Sequence, residues 1–518
     1  MVPPREKVVG SSREFCEEHL PEGSVYRLLA TAGHRLFPDE LFEDLFANIG
    51  RWSVPPRIVA VVMALQRIEG LSDRDAVERF TFDARWKYAA GGLEFDYPGF
   101  VHTVLVDMRA RLRASKRPDR IFEVVLDVAK AAGLVGRKRV FDSTALYDAV
   151  ATQDTVTLIR SAIRALLRVA GQDLARELRA VLKRDDDYAA AGKPTCDWDD
   201  AVAREALVDA LARDAFAVLA VLNERKLEGE VASASRLVAT VVGQDLEQRE
   251  DGVFAIARRV AKDRIISTVD PEARHGHKTA ARGFDGYKGH VAIDPDSEII
   301  TATDVTPGNV ADGAAADKLV NEALAGASKA DEKPVEVYGD SSYGTADLIA
   351  RIETAGVEPN VKVQAPSAHD GLYTKDDFVV NLDAGAVTCP AGRLVQIRTT
   401  KDGGGLAAFG VSCMTCPQRD KCSTSKEGRN VRIHPCEATL QRARRRQKSD
   451  EWRQRYRATR PKVERKIAHL MCRRHGGRRA RVRGVVRIRQ DFALLGAAIN
   501  LKRLAVIGVH HNGATWAR

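Results

Sequence analysis

The chain has 518 residues, of which 44% are hydrophobic and 29% charged, and its formal net charge is +10. This composition is typical of a globular protein of about two to four domains. The longest apolar run near the end, residues 492–509, is interrupted by Asn500, Lys502 and Arg503, so we predict no membrane span. The first 20 residues lack the apolar segment of a signal peptide, so we predict a cytoplasmic protein.

The N-terminal part of the chain predicts helices. Residues 55–70 place apolar side chains on one helical face and end at Gly70, and Ser72 is a cap for the next helix. A third helix follows over residues 98–115 and carries arginines toward its end. Two helices joined by a glycine-containing turn are compatible with a DNA-reading helix-turn-helix. A plain helical bundle fits the same pattern at least as well.

The centre of the chain predicts an α/β core. Residues 139–146 indicate a short strand with Asp142 near its carboxyl end, and a long helical insertion follows. From Tyr287 the pattern becomes a β-hairpin, then a helix, and then a short strand that ends at Asp340. A helix and a strand at residues 361–364 come next. Strands that alternate with helices predict a mixed or parallel sheet with helices packed on it.

A turn-rich segment, residues 376–440, holds a cluster of cysteines. Their spacing includes one Cys-x-x-Cys pair and predicts a structural zinc site formed by Cys389, Cys413, Cys416 and Cys422. Cys436 and His434 are spare candidate ligands. In a reducing compartment metal binding is favoured over disulfides. Reduced thiols without a metal are the alternative.

The most basic segment is residues 441–489, with 20 Lys/Arg and three Asp/Glu. Its net charge is therefore +17, and since the whole chain carries +10, the remainder carries −7. Such a local excess is typical of a surface for a polyanion, most often nucleic acid. Pro461 suits the first turn of a helix with an apolar stripe, and Glu464 lies at the edge of that stripe. A solvated charged helix with an incidental glutamate is the alternative.

Three acids stand out by position, namely Asp142, Asp340 and Glu464. Catalytic groups gather at the carboxyl ends of strands in open sheets. Three carboxylates that converge there would repel each other unless divalent cations neutralise them, and carboxylate ligands suit Mg²⁺ or Mn²⁺. Two such ions can activate a water or a 3′-hydroxyl for displacement at phosphorus. For each strand-end aspartate alone, capping of a turn is the alternative.

Several segments together, in order, resemble a DDE transposase of a bacterial insertion sequence. The resemblance is to the group whose ribonuclease H-like core is interrupted by a Cys-containing insertion. The segments are "FDSTAL", "DGYKGHVAID", "IITATDVTPGNVAD", "YGDSSYGT", "HPCEATLQRARRRQ", "YRATRPKVERKIAHL" and "GVVRIRQDFALLGAAINLKRL". Residues 55–115 resemble the N-terminal helical domain of the same group.

The resemblance implies a catalytic site and its cofactors. Asp142, Asp340 and Glu464 would be the ligands of two Mg²⁺ or Mn²⁺ ions. The family signature on the last helix runs Tyr, Arg, Glu, Lys, and Arg460 has the expected spacing from Glu464. Tyr456 lies one residue further upstream than usual, and a methionine occupies the lysine position. The predicted DNA-binding residues are Tyr456, Arg460, Arg465, Lys466, Arg473 and Arg474.

The predicted function is that of a transposase. It would cleave phosphodiesters at insertion-sequence ends and join the 3′-hydroxyl ends to target DNA. Its partner would be double-stranded DNA, bound by a homodimer at the bacterial nucleoid. The alternatives are a catalytically decayed DNA-binding protein and a ribonuclease H-fold nuclease without strand transfer.

The predicted organisation has six parts. They are an N-terminal helical DNA-end-binding domain (1–130), the first core strand (131–150), a helical insertion (151–266), the continued core (267–375), the Cys-rich insertion (376–440) and the basic catalytic helix with the C-terminal helix (441–518).

Overall fold

A computed structural model describes residues 11–46, 54–148, 151–186, 188–279, 281–325, 334–367 and 371–518. Its N-terminal part is helical, as predicted. The helices are α1 (Ser12–His19), α2 (Val25–Leu36), α3 (Pro56–Glu69), α4 (Asp73–Phe82), α5 (Ala84–Ala89), α6 (Thr103–Ala114) and α7 (Arg120–Ala131).

The predicted turn between α3 and α4 is confirmed. Gly70 ends α3 with a positive φ of 69°, and a Cβ atom there would lie 2.4 Å from the carbonyl oxygen of Arg474. Ser72 caps α4 and forms a capping box with Asp75. α3 is buried along almost its whole length and packs against α4, α5 and α6. These contacts are those of a helical bundle.

The core begins with one strand and is then interrupted by the insertion. The strand is β1 (Lys138–Tyr147). The insertion consists of α8 (Thr155–Val169), α9 (Gly171–Val181), α10 (Ala201–Asn223), α11 (Gly229–Asp245) and the hairpin β2 (Leu246–Gln248) and β3 (Phe254–Ile256). Its helices enclose an apolar cluster of their own.

The core then resumes with three consecutive strands, after which helices and strands alternate. They are β4 (Arg274–Thr279), β5 (Arg282–Ile293), β6 (Ile300–Pro307), α12 (Ala316–Ala325), β7 (Glu336–Gly339), α13 (Ala346–Thr354) and β8 (Glu358–Val361). The strand predicted at residues 361–364 was placed three residues too late.

The remaining elements are a group of short strands and the C-terminal helices. The strands are β9 (Val379–Asn381), β10 (Ala386–Thr388), β11 (Leu394–Gln396), β12 (Arg398–Thr399), β13 (Gly405–Ala408) and β14 (Asn430–Ile433). The helices are α14 (Glu437–Gln447), α15 (Asp450–Thr459), α16 (Pro461–Leu470) and α17 (Val485–Ile507), followed by β15 (His510–His511) and β16 (Trp516–Ala517).

The core sheet is mixed, as predicted. β5 pairs antiparallel with β1 on one side and with β6 on the other. β4 pairs antiparallel with the first residues of β5. On the far side of β1, β7 and then β8 are added in parallel. Val140 pairs with Tyr338, so Asp142 and Asp340, each two residues further on, come to neighbouring positions at the end of these strands.

Helices pack on both faces of the sheet. Phe141 belongs to the apolar cluster of α12 and α13, whereas its neighbour Val140 belongs to the cluster of α3, α7 and α17. Asn500 of α17 bonds both the N–H and the carbonyl oxygen of Ile300 at 2.8 Å, which fixes this helix to β6. A Cβ atom on Gly339 would lie 2.6 Å from the Phe141 ring, so glycine permits the close approach of β7 and β1.

None of the helices in the described part of the chain combines the length and apolarity that a membrane span requires.

Candidate active site

The three predicted acids converge on one guanidinium group. Nη2 of Arg460 lies 2.8 Å from Oδ2 of Asp142 and 3.7 Å from Oδ2 of Asp340. Nη1 of the same arginine lies 3.4 Å from Oε1 of Glu464. Residues that are up to 322 positions apart in the sequence thus form one cluster. We call these four residues the acid cluster.

Backbone groups orient the two aspartates. The N–H of Ser143 donates to Oδ1 of Asp142 at 2.8 Å, and the N–H of Ser342 donates to Oδ1 of Asp340 at 3.0 Å. In each aspartate the other oxygen, Oδ2, therefore faces Arg460. Backbone N–H groups of β1 and of the turn after β7 thus orient the two carboxylates.

The segment over residues 456–471 spans the end of α15 and the whole of α16, and the two helices meet at Arg460. Pro461 begins α16, as predicted, and puts Glu464 in its first turn. Tyr456 donates from its hydroxyl to the carbonyl oxygen of Gly339 at 3.1 Å and stacks on Trp452. This contact anchors α15 at the end of β7, next to Asp340.

The acid cluster runs from the protein interior to its surface. The side chain of Asp142 is 11% exposed, that of Asp340 33% and that of Glu464 63%. Burial raises the pKa of Asp340, the charge of Asp142 raises it further, and Arg460 opposes both. Since one guanidinium faces three carboxylates, the cluster has an excess of acidic groups and favours a further cation.

The donor set fits a divalent ion by its chemistry, because carboxylate oxygens are the ligands that Mg²⁺ and Mn²⁺ prefer. Among the described residues, however, no three Asp, Glu, His or Cys side chains lie close enough together to hold one metal ion. The position between Asp142 and Asp340 is taken by the guanidinium of Arg460. Metal binding would therefore require Arg460 to move away and the carboxylates to approach each other.

A polar network that sequence reasoning missed lies beside Asp142. Ser143 donates from its hydroxyl to Oδ2 of Asp312 at 2.6 Å, and Lys288 contacts Oδ1 of Asp312 at 2.8 Å. Lys278 donates to the carbonyl oxygen of Ser143 at 2.7 Å. Asp312 ends the segment "IITATDVTPGNVAD", and Lys288 lies within "DGYKGHVAID". Both segments carried the resemblance, which was the available signal for these two residues.

His290 is a buried neutral base in the same region. Its Nδ1 lies 3.0 Å from the hydroxyl of Tyr343, and its Nε2 lies 2.9 Å from the hydroxyl of Thr306. Burial lowers the pKa of His290 to about 4, and the nearby charges of Asp312 and Asp304 oppose this effect. The folded protein therefore takes up this proton at a lower pH than the unfolded chain does.

We expect the free energy of unfolding to fall as the pH falls from about 6.5 to about 4. In this range the unfolded chain binds a proton that folded His290 does not, which costs about 1.4 kcal/mol per pH unit. Urea unfolding of the wild type and His290→Gln at several pH values measures the effect. Between pH 6.5 and pH 5, the free energy of unfolding of His290→Gln should fall by about 2 kcal/mol less than that of the wild type. Parallel stability curves would contradict the assignment, and His510→Gln is the exposed control.

The structure separates the predicted DNA-binding residues into two groups. Arg460 belongs to the acid cluster, and Tyr456 lies beside the cluster with its hydroxyl on the carbonyl oxygen of Gly339. Lys466 is buried with its ammonium group 3.6 Å from Glu298, and burial lowers the pKa of Lys466 to about 8. It would reach a phosphate only if this ion pair opened. Arg465 is exposed, although it also pairs with Glu298, and Arg473 and Arg474 are exposed on the loop after α16.

The basic segment is more neutralised than its charge count predicted. At least ten of its 20 Lys/Arg form ion pairs, with acids such as Glu353, Glu358 and Asp296. Most of those without an acid within ion-pair distance in the described part of the chain lie in the loop between α16 and α17 and at the start of α17. They include Arg473, Arg474, Arg478, Arg479, Arg483 and Arg487. The polyanion surface is therefore best placed on this loop.

The four predicted zinc ligands come together in the structure. Cys389, Cys413, Cys416 and Cys422 line one small cavity under the short strands. Burial raises the pKa of Cys422, and its neighbouring thiols raise it further. Cys436 lies elsewhere, 3.6 Å from Asp347. Within the described residues these thiols do not reach metal-binding geometry, so the zinc site stays a prediction.

Two family models match the chain, and both are transposase families. The transposase DDE domain matches residues 388–505, and the transposase domain DUF772 matches residues 14–111. The first match covers Arg460 and Glu464, and the second runs from within α1 through α5 and covers most of α6. No curated protein and no solved structure gives a significant match.

These matches show that the two ranges are similar to transposase domains. More particularly, they support a DDE transposase of an insertion sequence, as the resemblance implied. Transposases act on DNA, and DDE domains generally use divalent metal ions. Asp142 and Asp340 lie outside both matched ranges, and it is the fold that brings them to Glu464.

Proposed function

We propose that the protein is a DNA transposase that cleaves phosphodiesters at insertion-sequence ends and joins the freed 3′-hydroxyl ends to target DNA. The observation that carries the proposal is the convergence of Asp142, Asp340 and Glu464 on Arg460. Its substrates are the double-stranded terminal inverted repeats and the target duplex. A homodimer at the nucleoid of the bacterial cytoplasm would bring two ends together.

We further propose that the core is ribonuclease H-like. The support is its topology, in which three antiparallel strands, β6, β5 and β1, are followed by parallel β7 and β8 with helices on both faces. The acids lie on β1, directly after β7 and on a C-terminal helix. The N-terminal helices (1–130) and the helical insertion (151–266) are then available for DNA ends.

The residues of the chain divide the work of the reaction. Asp142 and Asp340 present fixed carboxylate oxygens at the strand ends, and Glu464 completes the ligand set from α16. Two divalent ions bound there would activate the attacking hydroxyl and neutralise the leaving oxygen. Arg473 and Arg474 would contact phosphates and position the DNA without reading its sequence. Arg460, once displaced, would remain beside the scissile region as a cation.

The test is a cleavage and joining assay with the wild-type protein. DNA fragments that carry the inverted repeats flanking the gene are incubated with the protein, Mg²⁺ and a target plasmid. We expect cuts at the repeat ends and covalent joining to the plasmid, and chelation of Mg²⁺ should stop both. Cutting without joining would favour the nuclease alternative. Binding without cutting would favour the decayed DNA-binding protein.

A further inference from the structure

A second basic surface lies between the helical insertion and the core. A cleft of about 560 Å³ is lined by Arg164 and Arg168 of α8, Arg179 of α9 and Arg483 of the loop after α16. Among the described residues, no acidic side chain lines this cleft. We call these four residues the arginine cleft. It was not apparent from the sequence, since Arg483 is more than 300 positions away from the other three.

The arginines of the cleft lack the carboxylate partners that several other arginines of the insertion have. Arg160 pairs with Asp186, Arg213 with Asp209 and Arg264 with Asp245. In contrast, no carboxylate of the described residues lies within ion-pair distance of the four cleft arginines. Arg164 makes one weak bond, to the carbonyl oxygen of Ala190 at 3.4 Å. The cleft thus holds positive charge that no carboxylate of the described residues neutralises.

This arrangement does not serve the stability of the insertion. Arg164 and Arg168 are four residues apart on α8, and like charges at this spacing destabilise a helix. The apolar residues of α8, such as Leu158 and Ile163, already bury its other face. The two arginines therefore add positive charge to a face of α8 that the apolar packing of the insertion does not use.

Arg483 of the cleft belongs to the basic loop that is attached to the carboxyl end of β1. The N–H of Ala480 donates to the carbonyl oxygen of Tyr147 at 2.8 Å, and the N–H of Tyr147 donates to the carbonyl oxygen of Arg478 at 2.9 Å. The loop is therefore fixed to the end of β1, the strand that carries Asp142. Exposed arginines extend from this point to Arg483 in the cleft. A track of this length suits a polymeric anion better than a single small one.

We propose that the arginine cleft binds the phosphate backbone of the DNA duplex beyond the cleavage site. This inference rests on the proposed function, because it takes the duplex at the acid cluster as its starting point. Guanidinium groups bind phosphate oxygens through paired N–H donors. Such contacts supply affinity and orientation, and their strength falls with salt.

The experiment compares two charge reversals in the full-length protein, Arg168→Glu in the cleft and Arg236→Glu on α11. Arg236 is an exposed arginine of the insertion outside the cleft and is the matched control. Binding to a terminal-repeat duplex is titrated across salt concentrations, and thermal unfolding verifies that both variants fold. Loss of one phosphate contact should lower the affinity about tenfold near 0.1 M salt and flatten the slope of log K against log salt by about 0.9. Arg236→Glu should change neither.

The outcomes separate this inference from the proposed function. If wild type cleaves and Arg168→Glu keeps the wild-type affinity and slope, the inference is wrong and the function stands. If wild type binds the duplex without cleaving it and Arg168→Glu weakens binding, the function fails and the cleft is supported. Polyglutamate is the second probe. If Arg168→Glu weakens the binding of polyglutamate but not that of the duplex, the cleft binds acidic protein and the inference is overturned.

Discussion

Replacing Asp340 with asparagine should abolish metal-dependent cleavage of terminal-repeat DNA and leave the affinity for that DNA unchanged or slightly higher. The carboxylate lies beside Asp142 at the end of β7, and an amide is a much weaker ligand for Mg²⁺. Loss of a residue that only supports a metal ligand lowers metal affinity or activity by about 10–100-fold. Loss of a direct ligand should therefore reduce cleavage by more than about 100-fold. The affinity for DNA should not fall, because the change removes a negative charge near phosphate.

The acids of the basic segment provide a matched pair for the same assay. Glu464→Gln should behave as Asp340→Asn does, since Glu464 belongs to the acid cluster. Glu451→Gln removes the same charge from an exposed position of α15 and should cut at the wild-type rate. Cleavage by Asp340→Asn at the wild-type rate would remove Asp340 from the active site. Loss of cleavage in Glu451→Gln alone would move the catalytic glutamate to α15.

The positions of the two aspartates could be predicted because they depend on strand order. Alternating strands and helices indicated an α/β sheet, and parallel pairing of β1 and β7 brings Asp142 and Asp340 together. β8 begins three residues earlier than predicted and contains Pro359, and proline removes a backbone donor. β8 lies at the edge of the sheet, where a missing donor is tolerated.

The net charge of the basic segment could be counted from the sequence. Its neutralisation by acids from other parts of the chain could not be predicted. Glu298, which pairs with Arg465 and Lys466, lies in the turn between β5 and β6, and Glu353, which pairs with Arg442 and Arg446, lies on α13. These acids come from the part of the chain that carries the compensating −7. Which arginine meets which acid depends on packing between distant elements. Local periodicity contains no information about it.

Replacing Arg460 with glutamine should strongly destabilise the metal-free protein. Its side chain is 8% exposed, and Asp142, its nearest partner, is almost equally buried. Removal of one partner leaves a buried charge without compensation, which costs about 3–5 kcal/mol. Urea unfolding in the presence of a chelator measures this loss. Arg465→Gln is the control, because it removes an exposed arginine from α16, the helix that Arg460 precedes, and should cost about 1 kcal/mol or less.

A double variant distinguishes the loss of charge balance from a simple loss of packing. If the unfolding penalty of Arg460→Gln comes from an uncompensated Asp142, then adding Asp142→Asn should recover most of it. If it comes from the lost volume of the arginine side chain, the second substitution should recover nothing. The coupling between the two positions is the informative quantity, since residues in direct contact are not additive.

Addition of Mg²⁺ to Arg460→Gln tests whether the guanidinium holds the place of a metal ion. A cation that binds only the folded protein raises its stability by mass action. Because the variant no longer has Arg460 between the carboxylates, Mg²⁺ should raise its unfolding midpoint more than it raises that of the wild type. Equal shifts would show that arginine and metal do not compete. A larger shift in the variant would mean that Arg460 is the counter-ion of the acid cluster until a divalent ion replaces it.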